Sequence, residues 1–242
     1  MAERSLVTPL RRRVAPLCRA LYVAPLRALV LLPLTACAAA PAARAPAAVD
    51  SVAEARIIAA TAPQRRLHVL FDWTIRDPSV NMSGKGVLRL DRGERGRVDL
   101  FGPRGETLMA AIVENDQMRM VPAFASGMLP PPALMWSVLG VFRRPDLPLT
   151  RTVVDSDAVT LEYERDGTRW RFRFVDDVMR GTEWTSGTGR RTVALSGTAA
   201  FGVPRDIHFR DWTEFRELNM RVTDVEETQG FDADVWILPS DR

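Results

Sequence analysis

The chain has 242 residues with 33 Lys+Arg against 30 Asp+Glu, and a pI near 9.4. That basic balance is local: residues 1–36 hold six arginines and one glutamate, which leaves 27 basic and 29 acidic residues from position 37 onward, a net charge of −2. The larger part of the chain therefore offers no electrostatic footprint for nucleic acid, and no nucleic-acid partner is expected.

At the N-terminus, Arg11, Arg12, Arg13, Arg19 and Arg27 precede a short apolar run over 28–36 that contains Pro33. A hydrocarbon core needs about 20 apolar residues, so the run is too short to span. Pro33 would also remove a hydrogen bond from a helix interior. A basic region, a short apolar segment and small residues before a cut are the parts of a secretory signal. Its end, Leu34-Thr35-Ala36-Cys37, resembles the lipobox of bacterial lipoproteins. The resemblance implies cleavage before Cys37 and acylation of its thiol; the alternative is an ordinary signal peptide with a chance cysteine. Residues 1–36 then form the signal and 37–49 an Ala/Pro-rich tether. The other cysteine, Cys18, falls in the removed segment, so the mature chain carries no free thiol and no disulfide. Two or more acyl chains, contributing about 0.8 kcal/mol per buried CH₂, hold a protein on a membrane surface without spanning it. Within the same resemblance, Ala38 in place of aspartate points to the periplasmic face of the outer membrane.

From Asp50 to Arg242 there is enough chain for one domain with a real core. Ser51 and Glu54 have capping-box spacing, which predicts a helix from there to about Ala60, ending before Pro63. The period then changes to two. Leu67, Val69, Phe71, Trp73 and Ile75 alternate with polar residues, as do Val98 and Leu100, Met118 and Met120, and Val159, Leu161 and Tyr163. Trp170, Phe172 and Phe174 alternate with Arg169, Arg171 and Arg173; Ile207 and Phe209, then Leu218, Met220 and Val222, close the series. This is the pattern of half-buried antiparallel strands. Turn signals separate them at Asp91-Arg92-Gly93, Gly102-Pro103-Arg104-Gly105, Asn115-Asp116, Asp166-Gly167 and Ser186-Gly187-Thr188-Gly189. One apolar helix, over 132–141, interrupts the strands and begins at a proline, where a helix tolerates one. It is apolar over so wide an arc that most of its surface must be covered. The expected order is helix, about five strands, helix, then about five or six strands. The fold class is mainly β with α (α+β): an open antiparallel half-barrel wrapped on lid helices.

The stretches "GKGVLRLDRGERGRVDLFGPRGETLM", "LPPPALMWSVLGVFRR" and "GVPRDIHFRDW…LNMRVTDVEE…FDADVWILP" resemble the LolA/LolB-like lipoprotein-carrier superfamily, nearest to its LolB-like lipoproteins. The resemblance spreads over most of 50–239 as an order of elements and turns. It implies an unclosed barrel with helices as a lid over an apolar cavity that holds acyl chains. It also implies an outer-membrane receptor that takes lipoprotein cargo from a soluble carrier protein. The cavity-lining candidates are Phe71, Trp73, Leu88, Leu90, Leu100, Met109, Met118, Met120, Trp136, Leu139, Trp170 and Phe172. Methionine suits surfaces that accept varied acyl chains, though it also fills irregular cores. The family's membrane-facing turn reads Pro-Leu-Gly, with an exposed leucine; this chain has Pro103-Arg104-Gly105. A guanidinium pairs with headgroup phosphate and does not insert as leucine does.

Catalysis is not expected. His68 and His208 stand on polar strand faces, and no Gly-x-Ser-x-Gly elbow or phosphate loop appears. Asp155-Ser156-Asp157 hints at a calcium loop but lacks the later ligand and turn glycine. Asp176-Asp177 and Glu226-Glu227 place adjacent carboxylates on opposite strand faces or in turns. No cofactor or metal is implied. Two functions from different classes remain: a membrane-anchored carrier of acyl chains or lipoprotein cargo, and a non-catalytic assembly lipoprotein with a filled core that binds a protein partner.

Overall fold

A computed structural model describes residues 49–92, 95–122 and 129–238. The signal segment 1–36, Cys37 and nearly all of the tether lie outside the described residues. The first helix, α1 (Ser51–Thr61), is capped by Asp50, whose carboxylate accepts from the amides of Val52 and Ala53 at 3.0 and 2.9 Å. The expected capping box is therefore displaced by one residue. Glu54 is free of capping and turns inward, 7% exposed, to accept from the Tyr163 hydroxyl at 2.6 Å.

Five strands follow: β1 (Arg66–Arg76), β2 (Asn81–Asp91), β3 (Arg95–Phe101), β4 (Thr107–Glu114) and β5 (Gln117–Val121). After α2 (Pro132–Val138) come β6 (Leu149–Asp155), β7 (Ala158–Arg165), β8 (Thr168–Val175), β9 (Val178–Ser186), β10 (Gly189–Thr198), β11 (Pro204–Asp211) and β12 (Arg216–Glu227). The second group thus has seven strands, more than the sequence pattern predicts. Alternation marks β7, β8, β11 and β12; β6, β9 and β10 bury few apolar side chains, so it does not reveal them. All pair antiparallel in one 12-stranded sheet of order β5-β4-β3-β2-β1-β12-β11-β10-β9-β8-β7-β6. The pairing of β1 with β12 joins the two meanders, and β5 and β6 remain as edges, so the barrel does not close.

Register carries the alternation across the sheet. Trp73 faces Met220 and Gly84; Phe71 faces Gly86, and Gly86 faces Leu100. The two glycines are steric requirements, because a Cβ on Gly86 would lie 2.2 Å from the Phe71 ring and one on Gly84 would lie 1.9 Å from the Phe101 carbonyl oxygen. The inner face is one continuous apolar cluster.

Helix α2 fills this face. It ends sooner than its apolar pattern predicts, because Gly140 adopts φ +75°. The amides of Val141 and Gly140 then donate to the carbonyls of Trp136 and Ser137 at 2.9 and 3.0 Å, a Schellman cap. A Cβ at Gly140 would meet the Pro204 ring at 2.9 Å, so residue 140 could not carry a side chain without displacing it. The helix ties the two meanders together: Trp136 Nε1 donates to the Asn115 carbonyl at 2.6 Å, and Thr182 Oγ1 donates to Ser137 Oγ at 3.0 Å.

Strand β4 is buried on both faces. On its outer side Trp236 and Leu238 of the C-terminal segment cover Ala110 and Ile112. Arg97 fastens that segment, donating to the Val235 carbonyl at 2.5 Å while its guanidinium pairs with Asp99 at 2.8 Å. The Arg95 guanidinium lies 4.3 Å from the Trp236 ring centroid.

Candidate functional site: the inner face and its open cleft

All twelve cavity-lining candidates belong to the inner cluster, but they divide by packing. Phe71, Trp73, Leu88, Leu90, Leu100, Met109, Trp136, Leu139, Trp170 and Phe172 are each at most 8% exposed and touch one another as core. Trp136 is fully buried, with the Arg143 guanidinium 4.6 Å from its ring centroid. Around Phe172 the rings are fitted to each other: Phe142 meets it edge-on at 4.9 Å, Tyr163 edge-on at 5.9 Å, and Trp170 stacks on it at 5.6 Å. Met118 and Met120 differ. They lie on the edge strand β5, only half-buried against the cluster.

Those two methionines form part of the floor of an open cleft of about 560 Å³, completed by Leu129, Pro131, Pro132 and Phe209. Its size is within the range of small-ligand sites, about 300–1,000 Å³. The rim is charged: Arg191, Asp211, Glu214 and Arg216. Asp211 is 4% exposed and accepts from Arg191 Nε at 2.7 Å and from the amides of Thr213 and Glu214 at 2.9 and 3.1 Å. Burial alone would raise its pKa; the Arg191 hydrogen bond and then the two amides outweigh it and hold the carboxyl below the usual range. Arg191 in turn lies 4.8 Å over the Trp184 ring, and Arg216 Nε reaches Asp77 at 3.6 Å. A second, smaller cleft of about 290 Å³ runs between the end of α1 and the β10–β11 connection, past Leu139, Val141, Met179 and Phe201.

Apolar floor and guanidinium-bearing rim together suit an amphiphile with an acyl tail and a polar head. The sequence pattern marks Met118, Met120 and Phe209 as inward-facing. It gives no sign of Arg191, Asp211 or Arg216, which are inward-facing charges at strand ends. The one available signal is Asp211 before Trp212-Thr213-Glu214, an acid placed to accept from the amides of a following turn.

The remaining candidates are placed as follows. Pro103, Arg104 and Gly105 form the β3–β4 turn, with Arg104 exposed and its amide donating to Glu106 Oε2 at 2.9 Å. Gly105 takes φ +82°. Arg169 and Arg171 pair with Glu164 and Glu162 on the exposed face. Asp155-Ser156-Asp157 and Asp176-Asp177 make hairpin turns, with Ser156, Asp176 and Asp177 at positive φ. Among the described residues no group of three or more His, Cys, Asp or Glu could hold a metal ion, and no helix is long and apolar enough to cross a membrane.

A LolA superfamily protein from Nitrosomonas europaea superposes with a TM-score of 0.53 at 14% identity, covering 80% of this chain and 100% of that one. The fold is LolA-like. A second solved structure, an outer membrane lipoprotein-sorting protein domain from Vibrio parahaemolyticus, gives a TM-score of 0.52 at 9% identity, covering 77% of this chain and 95% of that chain. No protein-family model matches the sequence and no curated protein does. At these identities the likeness extends to the fold: an open twelve-stranded antiparallel sheet with two helices against it.

Proposed function

We propose that this LolA-like chain is a cell-envelope lipoprotein, anchored through Cys37 at the outer membrane, that holds acyl chains or the acyl end of lipoprotein cargo in the cleft beside Met118 and Met120. The work is binding and handover, without catalysis, and a soluble carrier is the natural donor of cargo. The observation that carries the reading is the contrast within the inner face: among the described residues, an apolar floor is accessible at the β5 edge while the rest is packed. The likeness to the Vibrio parahaemolyticus lipoprotein-sorting protein domain supports it. The test is saturable binding of a fluorescent fatty acid by the full chain, displaced by unlabelled acyl compounds. No saturable binding in the parent chain would overturn it. The Cys37 assignment has its own test. Cys37→Ser should abolish incorporation of labelled palmitate in cells, and labelling that survives would remove the anchor.

A second reading keeps its place because of one observation: Trp136, Leu139 and eight of the other lining candidates are packed as core around α2. On that reading the LolA-like fold is a filled scaffold that presents its outer surface to a protein partner. Fatty-acid binding, present or absent, separates the two.

A further inference from the structure

Hairpin turns in this sheet need residues that tolerate positive φ, and besides glycines most use polar ones: Arg92, Asn115, Ser156, Asp166, Asp176 and Asp177. The β11–β12 turn breaks that rule. Phe215 holds φ +52° there and is 75% exposed. An aromatic residue is a poor choice for that backbone region, where asparagine, aspartate or glycine fit without strain. So exposed a ring adds little to the core. Trp212, three residues earlier on the same turn, is 43% exposed. Its ring lies against the outer face with the guanidinium groups of Arg190 and Arg210 at 5.2 and 4.5 Å, and Nε1 donates to Thr192 Oγ1 at 3.2 Å. Phe201 also has positive φ, but the Arg65 guanidinium stands 5.3 Å over its ring and it borders the smaller cleft.

We propose that the Trp212–Phe215 hairpin tip is a membrane-contact element that enters the interface of a phospholipid bilayer. Three observations choose a bilayer over another occupant. Phe215 at the tip is 75% exposed, and a fluid interface closes around an exposed ring where a protein partner would need a matching pocket. A tryptophan flanked by arginines has the make-up of interfacial anchors, the ring at headgroup level and the cations near phosphate. The turn also borders the acyl cleft, because Asp211, Glu214 and Arg216 of the same hairpin form its rim. The last point rests on the carrier reading; the first two stand without it.

The experiment uses the full chain reconstituted with liposomes of phosphatidylethanolamine and phosphatidylglycerol that carry brominated acyl chains. Trp212 quenching is the difference between the chain and its Trp212→Phe variant. Quenching of the Trp212 emission is expected, and Phe215→Gly should weaken the contact roughly tenfold, as removal of one buried aromatic ring implies. Phe215→Gly should melt no lower than the parent, since glycine accepts the left-handed backbone, so lost quenching cannot be ascribed to unfolding. Absence of Trp212 quenching, or quenching unchanged in Phe215→Gly, overturns the proposal. So does a Phe215-dependent dimer in place of lipid contact. Fatty-acid binding is measured in parallel: its loss with quenching intact sinks the carrier reading and leaves the hairpin assignment standing.

Discussion

The inner face holds two regions of similar composition and opposite packing. Around Phe172, the rings of Tyr163 on β7 and of Phe142, just past α2, fit edge to face, Trp136 on α2 is fully buried and Leu139 is 6% exposed. Around Met118 and Met120 the same face ends at an unpaired edge strand and stays open beside a charged rim. Both regions are rich in large apolar residues. What separates them is coverage. Helix α2 is held over the first by hydrogen bonds to Asn115 and Thr182, and the second lies at the margin of the sheet. Apolar residues at inward positions therefore do not mark a cavity; the lack of a covering element among the described residues does.

If the first region is packed core, charge there must unfold the chain. Phe172→Asp should abolish a cooperative melting transition, because Phe172 is 1% exposed and borders neither cleft, an unpaired buried charge costs several kcal/mol, and domains hold only about 5–15 kcal/mol. A folded Phe172→Asp variant would show that this region hydrates and that the comparison is wrong. Trp136→Ala should cost about 3–5 kcal/mol in urea denaturation through the cavity it leaves; it also removes the donor to Asn115. Next in size is Tyr163→Phe. Burial, and then the hydrogen bond to Glu54, push the Tyr163 phenol far above its ordinary value, so it remains a neutral donor. Deleting it leaves the Glu54 carboxylate with Arg144 at 3.5 Å as its remaining partner, and should destabilise by about 1–3 kcal/mol.

How much of this was legible in the sequence follows from the same contrast. Period-two alternation finds β1, β7 and β8 because one face of each is core and the other water. It fails on β4, where Leu108 to Val113 reads as an unbroken apolar run because the C-terminal segment covers the outer side. It fails on β9 and β10 for the opposite reason: Thr182, Trp184 and Arg191 occupy inward positions, so the faces differ little in polarity. The end of α2 depends on Gly140 and its approach to Pro204, a contact between segments far apart in sequence. The cleft was legible only as its apolar half. Its rim consists of charges whose inward direction is fixed by register with neighbouring strands.

That rim gives the comparison a pH test. The Asp211 pKa is lower in the folded chain than the unfolded value of about 3.9. The unfolded state therefore binds more protons in that window. The stabilisation is complete above the unfolded value and is lost as pH falls through the folded one. Asp211→Asn keeps a side-chain oxygen for the amides of Thr213 and Glu214 but removes the charge facing Arg191. It should cost about 1–2 kcal/mol near neutral pH and flatten the acid limb of stability below about pH 4. An acid limb identical to the parent's would show that the Arg191–Asp211 pair does not stabilise the rim.

Met120→Asp should disturb folding least and sharpen the comparison most. Met120 lies opposite Ala111 on the edge strand β5, half-buried, on the floor of the open cleft. A carboxylate there reaches water through the cleft, so the penalty that unfolds Phe172→Asp does not apply. What remains is the loss of some packing and a weaker strand former, together about 1 kcal/mol. The effect on an acyl ligand is different in kind. A hydrated charge on the floor must be stripped of water before an alkyl chain can lie on it, which places the penalty in the bound state alone. Fatty-acid affinity should fall about tenfold or more, while the melting temperature moves by a few degrees. Collapse of the fold on introducing the charge would show that the β5 edge is packed like the Trp136 region, and that the inner face is one filled core from end to end. Unchanged affinity in a folded variant would move the acyl site away from Met120, with the smaller cleft beside Leu139 and Phe201 the next place to look.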